Sequence, residues 1–199
     1  MTAPAGSSYG SGKVGQGAVL GSGQYMYVDG MKATLGTYAK VTIAFWLLEP
    51  GNAPGLSVLD VGNRAAAPYG GVTLGLTNTS VSLCVSSTTN AFLAGSCVGF
   101  TAPSANSWHH WLLRYDGSGT GAGQGGPLQV YVDDVLVHTR ANDVNNNPVF
   151  SSGIPDRLYV GMANSQVDDV QIYDQVLTQA QQCTAILLGS WTGASCTLP

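Results

Sequence analysis

Side chains suited to carbohydrate recognition are the first chemical signal in this sequence. Sugars present C–H faces that stack on aromatic rings, and hydroxyls that bond amides and charged groups. Exposed aromatic residues with such groups beside them are therefore candidate ligand-binding residues. The set comprises one cluster in a predicted loop and two separate tryptophans: Tyr69, Asn63, Arg64, Trp111 and Trp191.

The four cysteines fall into two locally close pairs, Cys84 with Cys97 and Cys183 with Cys196. Four cysteines allow three pairings, and closeness in the chain favours these two. Each disulfide would close a short loop, worth roughly 3 kcal/mol in the chain-entropy model. A zinc site is disfavoured because neither C-x-x-C spacing nor a histidine near a cysteine occurs. Disulfides indicate an oxidising environment, so we expect a secreted or cell-surface protein.

The composition narrows the classes of partner. Charged residues make up only 9% of the 199 residues, and the net charge is −4. A basic surface for nucleic acid is therefore not expected. The longest apolar run, Ile43 to Leu48, is too short to span a membrane. We expect residues 1–16 to be a flexible leader, and residues 17–199 to be one domain of a longer exported protein.

Short runs with a period of two predict β-strands separated by Gly, Asn, Asp and Pro. Val72 to Thr77 and Val81 to Ser86 alternate in this way, and Asp133-Asp134 reads as a tight hairpin turn. Val41 to Leu48 is apolar on both faces, which predicts a central strand. Thr178 and Gln181 form a capping-box pair that predicts a short C-terminal helix ending near Gly189. The pattern indicates an all-β, antiparallel two-sheet sandwich or jelly roll.

Three segment pairs carry a resemblance to a known family. They are Gly17–Val28 with Val41–Trp46, Ser107–Gly117 with Leu128–Val137, and Arg157–Gly161 with Val167–Thr178. In order and spacing they resemble the laminin-G-like domains of bacterial extracellular proteins, which belong to the concanavalin A-like jelly-roll group. The resemblance implies two curved antiparallel sheets, export, frequent calcium, and usually binding rather than catalysis. It also implies that Trp46 and Trp108 are core residues.

Asp168 is the candidate metal ligand. It shares strand parity with Val170 and Ile172, which would aim it toward the apolar side, where a lone charge must be paired or metal-bound. The resemblance implies a structural Ca²⁺ at this aspartate, completed by backbone carbonyls around Gly21 to Gly23. The alternative is an aspartate satisfied by backbone N–H groups or an arginine.

Catalysis is not expected. A glycoside hydrolase generally needs two carboxylates that flank the scissile bond, and Glu49 is the only glutamate. A polysaccharide lyase needs a base, but His109 and His110 lie in a Trp-His-His segment that the resembling family uses in non-catalytic domains.

The sequence thus predicts a non-catalytic extracellular binding module for glycans, with a structural calcium. The alternative is a protein-interaction or adhesive domain of a larger surface protein. A glycoside hydrolase or polysaccharide lyase is a more distant third.

Overall fold

The computed structural model describes most of the chain in nine pieces. These are residue 5 and residues 7–35, 40–51, 56–63, 70–86, 97–116, 127–140, 157–187 and 189–197. Within them, two large antiparallel sheets form a sandwich, which confirms the predicted all-β fold class.

The larger sheet has seven strands. Their order across the sheet is β1 (Ser8–Ser11), β2 (Gln16–Val19), β13 (Gln166–Tyr173), β4 (Lys40–Leu48), β9 (Trp108–Asp116), β10 (Leu128–Val132) and β11 (Val135–Arg140). β4 lies in the middle, as its two apolar faces predict, and pairs with β13 and β9.

The second sheet has six strands. Their order is β3 (Met26–Val28), β12 (Leu158–Val160), β5 (Leu56–Asn63), β6 (Gly70–Leu76), β7 (Ser80–Ser86) and β8 (Cys97–Thr101). The short β3 and β12 therefore lie at one side of the sheet, where they bring two distant parts of the chain together.

The remaining elements are short. They are α1 (Met31–Leu35), α2 (Gln179–Gln181) with a π-helical turn at Gln182–Ile186, and a two-stranded ribbon of β14 (Ser190–Trp191) and β15 (Cys196–Thr197). No helix in the described part of the chain has both the length and the apolar character needed to cross a membrane.

The main core fills the space between the two sheets. The alternation read from the sequence holds, because Val72, Leu74 and Leu76 of β6 are buried together in it. Facing them from the larger sheet are Ile43 and Phe45 of β4. The residues between these buried ones point outward, so each sheet has one outward face.

The tight turn between β10 and β11 is confirmed at Asp133 and Asp134. Both have a positive φ, 50° and 64°, as the primed turns of two-residue hairpins require. Both predicted disulfides are also present. Cys84–Cys97 joins register partners on β7 and β8, and Cys183–Cys196 ties the π-helical turn to β15.

The start of the chain differs from the flexible leader expected for residues 1–16. Ser8–Ser11 forms β1, which pairs with β2 over four register pairs. The sequence did not predict this strand, because the run Ser-Tyr-Gly-Ser has no alternation of apolar and polar residues.

The capping box at Thr178 and Gln181 is confirmed, but the helix behind it is irregular. One α-helical turn passes directly into the π-helical turn, which ends at Ile186. Gly189 has no left-handed φ. It is required because a Cβ there would lie 2.7 Å from the Thr197 carbonyl oxygen and 2.8 Å from Cys196 Sγ.

Candidate functional site

The outward face of the six-stranded sheet carries a cluster of three tyrosines, Tyr25, Tyr27 and Tyr159. Tyr27 alternates with Met26 and Val28, whose side chains pack against the core, and therefore points outward. Tyr159 alternates in the same way with Leu158 and Val160. The β3–β12 register places Tyr27 and Tyr159 directly opposite each other.

The rings of this tyrosine cluster touch. Tyr25 and Tyr159 have ring centroids 4.7 Å apart and planes at 90°, the edge-to-face arrangement that the ring quadrupole favours. Tyr27 and Tyr159 are 6.5 Å apart, with planes inclined at 50°. Tyr159 is therefore the central ring, and Tyr25, which is 45% exposed, presents the most open surface.

Arg157 and Asp29 complete the cluster. The guanidinium carbon lies 4.3 Å from the Tyr27 ring centroid and 5.6 Å from that of Tyr159. Nε and Nη2 donate to the two carboxylate oxygens of Asp29, the second over 3.1 Å, and Nη1 donates to the Tyr159 hydroxyl over 3.3 Å. The hydrogen bond to Asp29 raises the pKa of the Arg157 guanidinium above its usual value. These hydrogen bonds hold the arginine in place, so that its charge lies along one side of the tyrosine cluster.

Asp60 on β5 extends the row one strand further. It is the register partner of Tyr159 on one side and of Thr73 on the other. Thr73 Oγ1 donates to Asp60 Oδ1 over 3.2 Å, and both side chains are buried. Asp60 and Thr73 therefore continue the row of polar residues across the sheet as a buried pair, beside the more exposed tyrosines.

A second polar cluster lies at the end of the sandwich where β9 begins. His109 Nδ1 is 2.6 Å from Asp133 Oδ2, while Nε2 is 2.9 Å from the Ser104 carbonyl oxygen and 3.0 Å from Ser107 Oγ. Asp133 is itself held by the backbone N–H of His110 over 2.9 Å. The serine, histidine and aspartate side chains thus lie within hydrogen-bonding distance of one another in the order that nucleophilic catalysis requires.

The contacts of His109 also have a structural role. Its ring lies between the Asp133 carboxylate and the Ser104 carbonyl oxygen, one on each ring nitrogen. These contacts tie the segment before β9 to the turn after β10.

Glu49, at the end of β4, is a buried carboxyl beside this second cluster. Only 2% of it is exposed, and neither carboxylate oxygen has a hydrogen-bond partner within the described part of the chain. Burial raises the pKa of Glu49, and the neighbouring His109 partly offsets that rise.

The predicted locations of two tryptophans are reversed in the structure. Trp111, expected as a surface aromatic, is 1% exposed and lies in the core. Trp46, expected in the core, is half-buried on the outward face of the seven-stranded sheet. Its ring lies 5.0 Å from that of His110, and Lys13 Nζ lies 4.9 Å from its centroid. Strands that are apolar on both faces give no parity signal, which is why the sequence did not separate the two residues. Trp108 is half-buried.

Asp168 does not point toward the apolar side, contrary to the prediction. It is the register partner of Trp46, whereas Ile172 is the partner of the core residue Ile43. A β-bulge between Asp168 and Gln171 separates them, and Asp169 within it has a φ of 46°. The extra residue reverses the alternation, so Asp168 and Ile172 face opposite sides.

The Asp168 carboxylate is satisfied by backbone donors, the alternative considered above. Oδ2 accepts from the Val14 N–H over 2.7 Å, and Oδ1 accepts from the Asp169 N–H over 2.8 Å. The Gly21 carbonyl instead accepts from Gln24 and from Asn164, four residues before Asp168. Gly23 has a positive φ in the same turn. These hydrogen bonds satisfy Asp168 without a metal, and calcium binding at Asp168 with the carbonyls of Gly21 to Gly23 stays a prediction.

The remaining predicted ligand-binding residues are Tyr69, Arg64, Asn63 and Trp191, and the proximity of the first three stays a prediction. Tyr69 and Arg64 lie outside the described residues, and only the backbone of Asn63 is described, at the end of β5. Trp191 is half-buried in the separate β14–β15 ribbon.

The sequence contains a signal for the tyrosine cluster in two short runs, although neither run matches a known binding motif. Tyr25-Met-Tyr-Val28 and Leu158-Tyr-Val160 both alternate aromatic and aliphatic residues, which indicates outward tyrosines. Only the pairing of β3 with β12 shows that these two short segments meet.

Comparison with known proteins agrees with this architecture. A family model described as the concanavalin A-like lectin/glucanases superfamily matches residues 20–181. No curated protein matches the chain in sequence.

Solved structures of toxin binding domains share the fold at low identity. A botulinum neurotoxin type C structure, described as interacting with two ganglioside molecules, matches with a TM-score of 0.65 and 12% identity, covering 90% of this chain and 44% of that one. The binding domain of botulinum neurotoxin DC in complex with SialylT gives a TM-score of 0.63 and 13% identity, with 89% and 43% covered. The binding domain of Paraclostridial Mosquitocidal Protein 1 gives 0.60 and 13%, with 90% and 45% covered. The chain thus spans less than half the length of these structures. Because the family model covers most of its length, the chain belongs to the concanavalin A-like lectin/glucanase superfamily.

Proposed function

We propose that this chain is a non-catalytic, extracellular carbohydrate-binding module whose ligand binds at the tyrosine cluster. One observation carries the proposal. Three tyrosines from two distant segments meet on the outward face of the six-stranded sheet, where a carboxylate and a guanidinium flank them. Tyrosine offers a large, rigid and amphipathic contact surface at a small cost in side-chain entropy, which suits a preformed site.

The tyrosines of the cluster have different roles in the proposed site. Tyr25 has the open ring, on which the C–H face of a sugar would stack. Tyr159 supports that ring edge-to-face and is itself fixed by Arg157. Tyr25 is therefore the stacking residue of the proposal, and Tyr159 is the positioning residue.

The comparisons support a binding role. The superfamily is named for lectins as well as glucanases, and the toxin binding domains are described with gangliosides, with SialylT and, in another structure, with rat synaptotagmin II. The two disulfides support an extracellular location, since such bonds persist in oxidising environments.

The carboxylates near the tyrosines favour binding over hydrolysis. Asp29 is held by the Arg157 fork, and Asp60 accepts from Thr73. A glycosidase instead needs one carboxyl free to donate a proton and another free to attack or to activate water.

The test is a binding screen of the full chain against an array of diverse glycans and polysaccharides, followed by titration calorimetry on the strongest binder. We expect saturable binding that Tyr25→Ala weakens by about tenfold and Tyr159→Ala weakens further. The matched control is Tyr9→Ala, because Tyr9 is 65% exposed but lies on β1 of the other sheet.

Thermal melting of each variant separates a lost contact from a lost fold. If Tyr9→Ala weakens binding as much as Tyr25→Ala does, the ligand does not sit on the tyrosine cluster. If nothing on the array binds in the presence or absence of calcium, carbohydrate recognition is wrong, and the protein-interaction alternative takes its place.

A further inference from the structure

We infer that the tyrosine cluster selects uncharged sugars and discriminates against sugars that carry a carboxylate. This inference rests on the proposed function, because it concerns the ligand of the same site. It follows from the state of Arg157, the cation that contacts the tyrosines within the described residues.

The guanidinium of Arg157 is already used by the protein. Each of its three nitrogens donates to a side chain of the cluster. The forked pair, Nε and Nη2, bonds both oxygens of Asp29, while Nη1 bonds the Tyr159 hydroxyl. A carboxylate is best recognised by this same fork, through two parallel hydrogen bonds. Asp29 therefore occupies the Nε–Nη2 edge that an acidic sugar would otherwise use, and of the five N–H donors only one on each Nη nitrogen remains.

Displacing Asp29 would not give an acidic ligand a free site. The released Asp29 carboxylate would remain within a few ångströms of the incoming negative charge, and like charges disfavour binding. The guanidinium is also in contact with an aromatic ring, since its carbon lies 4.3 Å from the Tyr27 ring centroid. The pair as a whole carries no net charge.

The charge of the whole chain points the same way. Eleven acidic residues against seven basic ones give a net charge of −4. The long-range field therefore repels anionic polysaccharides instead of steering them toward the surface. An uncharged sugar is unaffected by this field, and it can use ring stacking on Tyr25 and hydroxyl contacts to the oxygen atoms of the cluster.

The experiment compares pairs of glycans that differ in the presence of a carboxylate. The probes are array oligosaccharides presented with and without their terminal sialic acid, together with galacturonan chains in the acid form and the fully methyl-esterified form. The proteins are the wild type, Asp29→Asn and the control Asp174→Asn. Asp174 is exposed and lies beyond β13, so its substitution makes the same change in net charge away from the cluster.

We expect the wild type to bind the uncharged member of a pair at least about tenfold more tightly than the acidic member. Asp29→Asn frees the guanidinium fork, so its affinity for the acidic member should rise by about tenfold. Asp174→Asn should keep the wild-type preference. Melting curves confirm that both variants are folded.

The outcomes separate this inference from the proposed function. Tighter wild-type binding to the acidic members would overturn the inference and leave the binding module intact. A folded Asp29→Asn that gains no affinity for acidic glycans would also overturn it, since Asp29 would then not be the barrier. Absence of binding to every probe and every glycan of the array would instead overturn the proposed function.

Discussion

On its outward side the seven-stranded sheet is packed against the C-terminal segment, whereas the six-stranded sheet carries tyrosines, an arginine and an aspartate. The covered face has its own small apolar cluster, formed by Ala44, Leu112, Tyr131, Leu177 and Ile186. Hydrogen bonds fix the cover in place. Thr42 Oγ1 donates to the Gln175 carbonyl over 2.8 Å, and Arg114 Nη1 donates to the Leu177 carbonyl over 2.8 Å.

This difference indicates that one outward face serves stability and the other serves binding. The C-terminal segment gives the larger sheet a second apolar layer, so substitutions there should act on stability. The tyrosine cluster contributes little to the interior, so substitutions there should act on binding.

The largest expected effect is on the covered face. Leu112→Ala removes a buried side chain from the small apolar cluster and should lower the free energy of unfolding by about 2–5 kcal/mol. Denaturant unfolding measures the loss, with Tyr9→Ala as a control. Glycan affinity, measured at a temperature where the variant is folded, should equal that of the wild type. An affinity loss comparable to that of Tyr25→Ala would contradict the separation of the two faces.

The next effect is acid destabilisation from the same face. Burial lowers the pKa of His110 from 6.5 to about 4, so the ring is neutral at pH 7. Between these two values the unfolded chain binds a proton that the folded chain excludes, and stability therefore falls as the pH drops from 6.5 to 4. A difference of about 2.5 pKa units corresponds to about 3 kcal/mol.

Denaturant unfolding across that pH range, on the wild type and on His110→Gln, checks this effect. The variant should lose less stability than the wild type by about that amount. Identical pH profiles would show that His110 titrates no differently in the two states.

The smallest of the three effects concerns Asp168. Asp168→Ala leaves the N–H groups of Val14 and Asp169 without their carboxylate, which should cost about 1–3 kcal/mol. Calcium binding at Asp168 is a separate prediction, tested with the same variant. A rise in Tm with calcium that Asp168→Ala abolishes would establish the metal, and an unchanged Tm for the wild type in calcium and in EDTA would contradict it.

Local sequence patterns were sufficient to predict much of the fold. Alternation located β6 and β7, the two aspartates at 133–134 located a hairpin turn, and spacing paired the cysteines. These features depend on residues close together in the chain. Their physical causes, side-chain parity, turn geometry and loop length, can be read without knowing the rest of the molecule.

The candidate site was harder to predict because it depends on long-range register. The single extra residue at Asp169 places Asp168 on the face of the sheet opposite to the predicted one. No local sequence pattern predicts such a bulge. The tyrosine cluster joins Tyr27 to Tyr159 across more than half of the chain, and only the β3–β12 pairing reveals it. The loop residues favoured from the sequence stood out by composition, which does not report spatial proximity.

The position of β13 has a consequence for how the protein is made. This strand lies between β2 and β4, and its Asp168 reaches a backbone N–H 154 residues earlier in the chain. A growing chain on the ribosome therefore cannot complete the seven-stranded sheet until residues 166–173 have emerged. Until then β2 and β4 each lack a neighbour, and the unfinished sheet exposes strand edges that invite aggregation during synthesis.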